Sequence, residues 1–182
     1  MTCLLPNNAV LVTAARLRTL LNVSGFIWAA ARDGGRYPAQ KGEHSMSAEE
    51  NKAIFRRYVE EIWNQGKLAV IDELVAPTMI VHFPSFDTKG LEKYRQLFTL
   101  FRAAFPDLHS TIEHVVAEGD MVATRWVNRA THKGAYMGIA PTDKQVSWTS
   151  TSIYRIVDGK VEESWSDMDS LGLLQQLGVT LK

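Results

Sequence analysis

The sequence predicts an α+β fold in which helices come first and cover one face of a curved antiparallel sheet. Apolar residues recur at spacings of three and four up to Pro106 and at a spacing of two from Leu108 onward. The second half also carries two turn signals, Glu118-Gly119-Asp120 and Asp158-Gly159. A spacing of three or four puts an apolar stripe along one side of a helix, and a spacing of two puts alternate side chains on one face of a strand. Helices that precede a run of strands bury their stripes on one face of that sheet.

Each element follows from its residues. Ser47 with Glu50 three positions on is a capping box ahead of Phe55, Tyr58, Val59, Ile62 and Trp63, which share one helical face. Gly66 stops this helix. Leu68, Ile71, Leu74 and Val75 mark a shorter helix that Pro77 ends, and Met79 to Phe83 reads as a strand. Leu91, Tyr94, Leu97, Phe98, Phe101 and Phe105 give a third helix with a broad aromatic face, ended by Pro106. The meander comprises Leu108 to Ala117, Met121 to Thr131, Gln145 to Val157 and Lys160 to Ser166, with a loop from His132 to Asp143. Asp158-Gly159 supplies the two positive φ angles of a tight hairpin turn. Leu171, Leu174 and Leu177 form a last helix that Gly178 closes, with Asp169 placed to cap its start.

A chain of 182 residues with 46% apolar residues and zero formal net charge has material for one core. Five of its twenty basic groups and two of its twenty acidic groups fall in residues 1–45, leaving fifteen and eighteen in residues 46–182. That near-neutral domain argues against nucleic acid as a partner. The only cysteine, Cys3, lies before the domain, so the domain has neither a disulfide framework nor a cysteine nucleophile. No apolar run reaches the length that spans a bilayer. Residues 1–45 are read as a poorly structured extension, either a presequence or the stretch ahead of a true start at Met46. The domain is read as cytoplasmic, with a targeting role for that extension left open.

Four strings in the right order carry a resemblance: the helix NKAIFRRYVEEIWNQG, the EGD turn at 118–120, the loop THKGAYMGIAPTDKQV at 131–146, and the ending RIVDGKVEESWSDMDSLGLLQQLG. Together they resemble the SnoaL-like polyketide cyclase (ester cyclase) family over residues 48–178. The resemblance implies the cone-shaped sheet of the nuclear-transport-factor-2-like (cystatin-like) fold. It also implies closure of a polyketide ring by intramolecular aldol condensation without metal or cofactor. In that family a late aspartate is the acid/base and a histidine on the preceding strand assists it. Counting back from the ending, those positions hold Ser166 and Ser152.

With both proton-transfer groups absent there, the candidates lie nearby. Asp167 is one residue from Ser166 and enters a pocket only where the strand is bulged or ending. His82, between Val81 and Phe83, titrates near neutral pH. His82 and Asp167 are therefore the catalytic candidates. Ser152, Ser164 and Ser166 are candidates to hydrogen-bond substrate oxygens, and Glu162 shares their strand face by alternation. Trp126, Trp148 and Tyr154 are candidates to line a pocket for a flat apolar ligand. His132 sits in a loop that reads equally as a lid or a surface turn. His109 and His114, five apart, should face opposite ways, and no histidine pair has metal-ligand spacing, so neither metal nor cofactor is expected. The outer sheet face, with alternating Val and Trp, is the expected homodimer contact.

Three functions remain open on the sequence. One is a metal-free enzyme moving protons on a hydrophobic carbonyl compound, which requires His82, Asp167 or Glu162 to reach the cavity. The second is a non-catalytic binding protein for a small hydrophobic ligand, and the third is a dimeric interaction module whose cone is filled by side chains.

Overall fold

The computed structural model describes residues 46–180, and the expectations for residues 1–45 lie outside the described residues. Helix α1, Ala48–Tyr58, starts at the expected capping box: Ser47 and Glu50 exchange side-chain and backbone hydrogen bonds. Its last turn, Val59–Asn64, widens into a π-helical turn. A 3₁₀ turn at Leu68–Val70 leads into the short α2, Ile71–Leu74. Strands β1, Val75–Phe83, and β2, Phe86–Lys89, precede α3, Leu91–Ala104. Strands β3, His109–Glu118, β4, Met121–Thr131, β5, Gln145–Val157, and β6, Lys160–Met168, form the meander, and α4, Ser170–Leu177, closes the fold.

The six strands form one sheet in the order β2-β1-β6-β5-β4-β3. Every neighbouring pair is antiparallel except β1 and β6, which run parallel. The expectation of a wholly antiparallel sheet is corrected at that seam. It joins the start of the domain to its end, and no hairpin constrains the direction there. Pro77 does not end α2, which stops at Leu74. It lies inside β1 between the pairs Val75↔Val161 and Ile80↔Glu163, where the register shifts and a residue without N–H costs no ladder bond. β2 carries no apolar alternation and almost no buried surface, so the sequence holds no signal for it.

α1 and α3 lie over the concave inner face. Phe55, Tyr58, Ile62, Tyr94 and Phe98 from the helices meet Val81, Val122, Trp126, Tyr154 and Ile156 from the sheet in one apolar cluster. A second cluster gathers Ala104, Phe105, Leu108, Ala130, Val146, Trp148, Leu173 and Leu177. Asp169 caps α4 as expected, accepting from the Gly172 N–H at 2.8 Å. The β5–β6 hairpin turns on Asp158 and Gly159, with φ of 48° and 76°.

The 132–143 loop is tied to the end of α3. Lys133 and Gly134 both donate backbone N–H groups to the Ala104 carbonyl, at 2.9 and 3.1 Å. A Cβ at position 134 would stand 2.2 Å from the Ala103 carbonyl oxygen, so only glycine passes there. His132 is neither lid nor surface turn. It is fully buried against Phe105, with Nδ1 3.1 Å from the Thr142 hydroxyl.

Candidate functional site

Between the two clusters, under α1 and α3, the inner face keeps a cavity of about 90 Å³. The cone is therefore not filled by side chains. Trp63 comes from the π-helical turn, Tyr58 from α1, and Tyr94, Leu97 and Phe101 from α3. Strand β4 supplies Trp126 and Asn128; β5 supplies Trp148, Ser150, Ser152 and Tyr154; β6 supplies Ser164, Ser166 and Met168. Alternation explains the choice: these are the even-numbered positions of β4, β5 and the second half of β6, all on the inner face.

Six expected binding residues, Ser152, Ser164, Ser166, Trp126, Trp148 and Tyr154, line this cavity together. Ser152 and Ser166 are direct cross-strand partners, as are Tyr154 and Ser164. The cavity's polar side is made of hydroxyls and one amide. Ser110 donates to Asn128 Oδ1 at 2.7 Å, and Asn128 donates to the Ser150 hydroxyl at 3.2 Å. The Tyr58 and Tyr94 hydroxyls meet at 2.7 Å. Burial raises the pKa of Tyr58, Tyr94 and Tyr154 above the ordinary phenol value, so all three are neutral donors at physiological pH. Ser152 is 1% exposed, and its hydroxyl has no partner among the described residues.

The three expected acids and bases are elsewhere. Asp167 pairs with Thr151 on the opposite face of the sheet from Ser166, because β6 runs on without a bulge there. His82 pairs with Trp165 in the ladder and stacks on its ring, 5.3 Å between centroids, also on the outer face. Glu162 does not share a face with Ser164 and Ser166, because a register shift opposite Arg155 and Ile156 takes it out of phase. It accepts instead from the Thr78 hydroxyl at 3.3 Å. Among the described residues lining the cavity, none is a carboxylate or an imidazole.

His82 belongs to an outer-face cluster. Its Nδ1 lies 2.9 Å from Asp87 and its Nε2 2.9 Å from Glu163, while Arg155 pairs with Glu163 at 3.5 Å and covers the Trp165 ring. Glu163 foremost, with Asp87, raises the imidazole pKa above its ordinary value against a smaller burial effect. A raised folded-state pKa gives stability that is complete below the unfolded value of about 6.5 and is lost as pH rises through the folded value. The urea midpoint should therefore fall as pH rises from 6 to 8, and His82→Ala should remove that slope. A slope equal in both proteins contradicts the assignment.

The outer face also corrects the expected Val and Trp alternation. Trp126 and Trp148 point inward, and the outer face presents Arg125 paired with Glu113, Val127, Thr149, Thr151, Ile153 and Trp165. His109 and His114 are both exposed on that face, because a bulge between Ile112 and His114 restores their phase. Among the described residues, no group of three or more His, Cys, Asp or Glu side chains gathers to hold a metal ion, and no helix is long and apolar enough to cross a membrane.

Sequence reasoning missed Tyr58, Trp63, Tyr94, Asn128 and Ser150. The helix residues look like ordinary core by spacing. Asn128 and Ser150 carried a usable signal, since each is a polar residue at an inward position of a period-two strand.

Residues 53–177 match the family described as SnoaL-like polyketide cyclase. A nogalonic acid methyl ester cyclase of Streptomyces nogalater is 30% identical over 122 residues, which is 64% of this chain and 89% of that protein. Among solved structures, AclR of Streptomyces galilaeus, a proposed hydroxylase, aligns with 34% identity and a TM-score of 0.66. The match covers 72% of this chain and 98% of that one. IdmH of Streptomyces antibioticus, a proposed polyketide cyclase, aligns with 32% identity and a TM-score of 0.62, over 71% of this chain and 99% of that one.

Proposed function

The chain belongs to the SnoaL-like polyketide cyclase family, and from that premise we propose that its cavity binds a small hydrophobic, polyketide-like carbonyl compound and promotes ring closure in it by hydrogen-bond donation. The observation that carries this reading is the cross-strand set Ser152, Ser166, Tyr154 and Ser164, hydroxyls facing a mostly apolar cavity. In an intramolecular aldol step, a carbon between two carbonyls loses a proton, the resulting enolate carbon forms a bond to a ketone carbon, and the ketone oxygen gains a proton. Neutral hydroxyls aimed at the developing oxyanions stabilise both stages. The lining supplies no base, so the proton leaves from a carbon the substrate itself has acidified. It passes to solvent at the partly exposed Ser166 and Met168.

A free volume of about 90 Å³ is smaller than the roughly 300 Å³ of small ligand pockets. A polycyclic substrate therefore enters with movement of the half-buried Phe83, Leu97 and Phe101 at the opening. The lining has no Lys, Arg or His, so a carboxylate inside would lack a cationic partner. Titration of nogalonic acid methyl ester into the protein should quench the fluorescence of the three lining tryptophans, and the free acid should bind at least about tenfold more weakly. Equal affinity, or binding of neither, removes this reading.

His82 and Asp167 have no part in this chemistry. His82→Ala and Asp167→Asn should each leave turnover of the ester within about twofold of the parent protein. A loss of a hundredfold in either would return proton transfer to the outer face. A second reading, a binding protein without turnover, is compatible with a lining that has no carboxylate or imidazole, but the cyclase relatives do not favour it. Tight ester binding with no ring-closed product selects it.

The proposal includes a homodimer through the outer sheet face, where Ile153 is 41% exposed beside Trp165. A single species at 20.4 kDa in sedimentation would remove that part.

A further inference from the structure

The cavity holds more hydrogen-bond donors than its own residues satisfy. The Trp63 and Trp126 indole nitrogens are buried without a hydrogen-bond partner among the described residues, and the buried Ser152 hydroxyl leans toward Tyr154 without closing a hydrogen bond. An indole N–H donates and cannot accept, so neither tryptophan can satisfy the other. Their rings meet edge to face, with centroids 6.2 Å apart and planes at 90°. The Trp63 N–H leans toward the Tyr58 and Tyr94 hydroxyls without closing a hydrogen bond to either. Each buried donor left unpaired costs about 1–3 kcal/mol, a cost that an incoming acceptor relieves.

Trp63 is held in this position. It lies in the π-helical turn Val59–Asn64, a rare conformation that often marks functional sites. Arg102 donates to the Trp63 carbonyl at 3.3 Å. The next residue, Asn64, pins the turn to β3 by accepting from the Ser110 N–H at 2.7 Å and donating to the Ser110 carbonyl at 3.2 Å. An ordinary α-helical turn would aim residue 63 differently, and the wider turn delivers its indole to the cavity beside Trp126.

We propose that Trp63 and Trp126 form an oxygen-binding subsite, donating their indole N–H groups to a neutral ketone or quinone oxygen of the ligand, with Ser152 donating to an adjoining oxygen. This rests on the reading that the cavity binds a carbonyl compound, and it adds which groups select for the carbonyl. All the unpaired groups are uncharged, so the subsite takes neutral acceptors in preference to ammonium groups or bare hydrocarbons.

The test compares 1-tetralone with tetralin, which share a bicyclic skeleton and differ by one ketone oxygen. Calorimetry on the full chain should give about tenfold tighter binding of the ketone. That ratio should fall to about one to three in Trp63→Phe and in Trp126→Phe. Trp165→Phe is the control, since it removes an indole N–H from the outer face and leaves the cavity lining intact, and it should keep the parent ratio. In the unsubstituted protein, the indole N–H resonances of Trp63 and Trp126 should move with tetralone and stay put with tetralin, which needs no variant to fold. Equal binding of both compounds in the parent protein overturns the subsite while leaving the cavity a binding site. Unmoved indole resonances with saturating ketone overturn it as well. Binding of neither compound overturns both.

Discussion

Replacing Ser152 with His and Ser166 with Asp in one chain should raise the rate of ester cyclisation by about 10²–10⁴, the usual worth of a positioned general base. The two positions are direct cross-strand partners on the cavity face, so their Cβ atoms lie within the reach of a His–Asp hydrogen bond. The apolar lining around them would hold an aspartate less acidic than in water, closer to the pH at which a base is useful. Ser166→Asp alone should give part of the gain, and Ser152→His alone little. The measurement is single-turnover ring closure followed by chromatography. A double variant that folds, binds the ester and reacts no faster than the parent would show that the geometry of these two positions does not support proton transfer.

The largest loss of stability is expected from Phe55→Ala, at about 3–5 kcal/mol. Phe55 is fully buried where α1 meets the sheet, with ring centroids 4.8 Å from Tyr154, 6.1 Å from Tyr58 and 6.4 Å from Trp126. All three neighbours line the cavity, so nothing stiff stands behind them once the ring is gone. For a domain of ordinary stability, about 5–15 kcal/mol, the loss is about a fifth or more of the whole. Urea denaturation followed by far-UV circular dichroism reads it directly. A fall of less than about 1 kcal/mol would mean that the site collapses around the gap instead of keeping it.

The order of helices and strands was legible because it depends on apolar periodicity, which a single sequence displays. Ser47, Asp169 and Asp158-Gly159 were legible for the same kind of reason, each being a local rule that no distant contact overrides. The β1–β6 direction, the β2 strand and the place of Pro77 were not, since a parallel seam between distant segments leaves no mark in either of them. Of the site, the inward set Ser152, Ser164, Ser166, Trp126, Trp148 and Tyr154 could be named from alternation and family register. His82, Asp167 and Glu162 could be named as titratable groups near it, but their faces depend on a bulge or its absence, and register shifts are set by tertiary packing. Trp63 escaped because a π-helical turn and an α-helical turn look alike in apolar spacing.

The parallel seam has a consequence for how the protein comes into being. Partners such as Ile80 and Glu163 lie near opposite ends of the domain, and pairing across so much chain is a slow kind of contact to form. The same seam supplies Val81, Phe83, Ser164 and Ser166 to the cavity wall. During synthesis α1, α2, α3 and the β3–β4 hairpin emerge before β6 does, so the ribosome holds a chain whose aromatic concave face lacks one wall. No ligand can assist that nascent chain, since the place it would occupy is completed only by the last strand to be made.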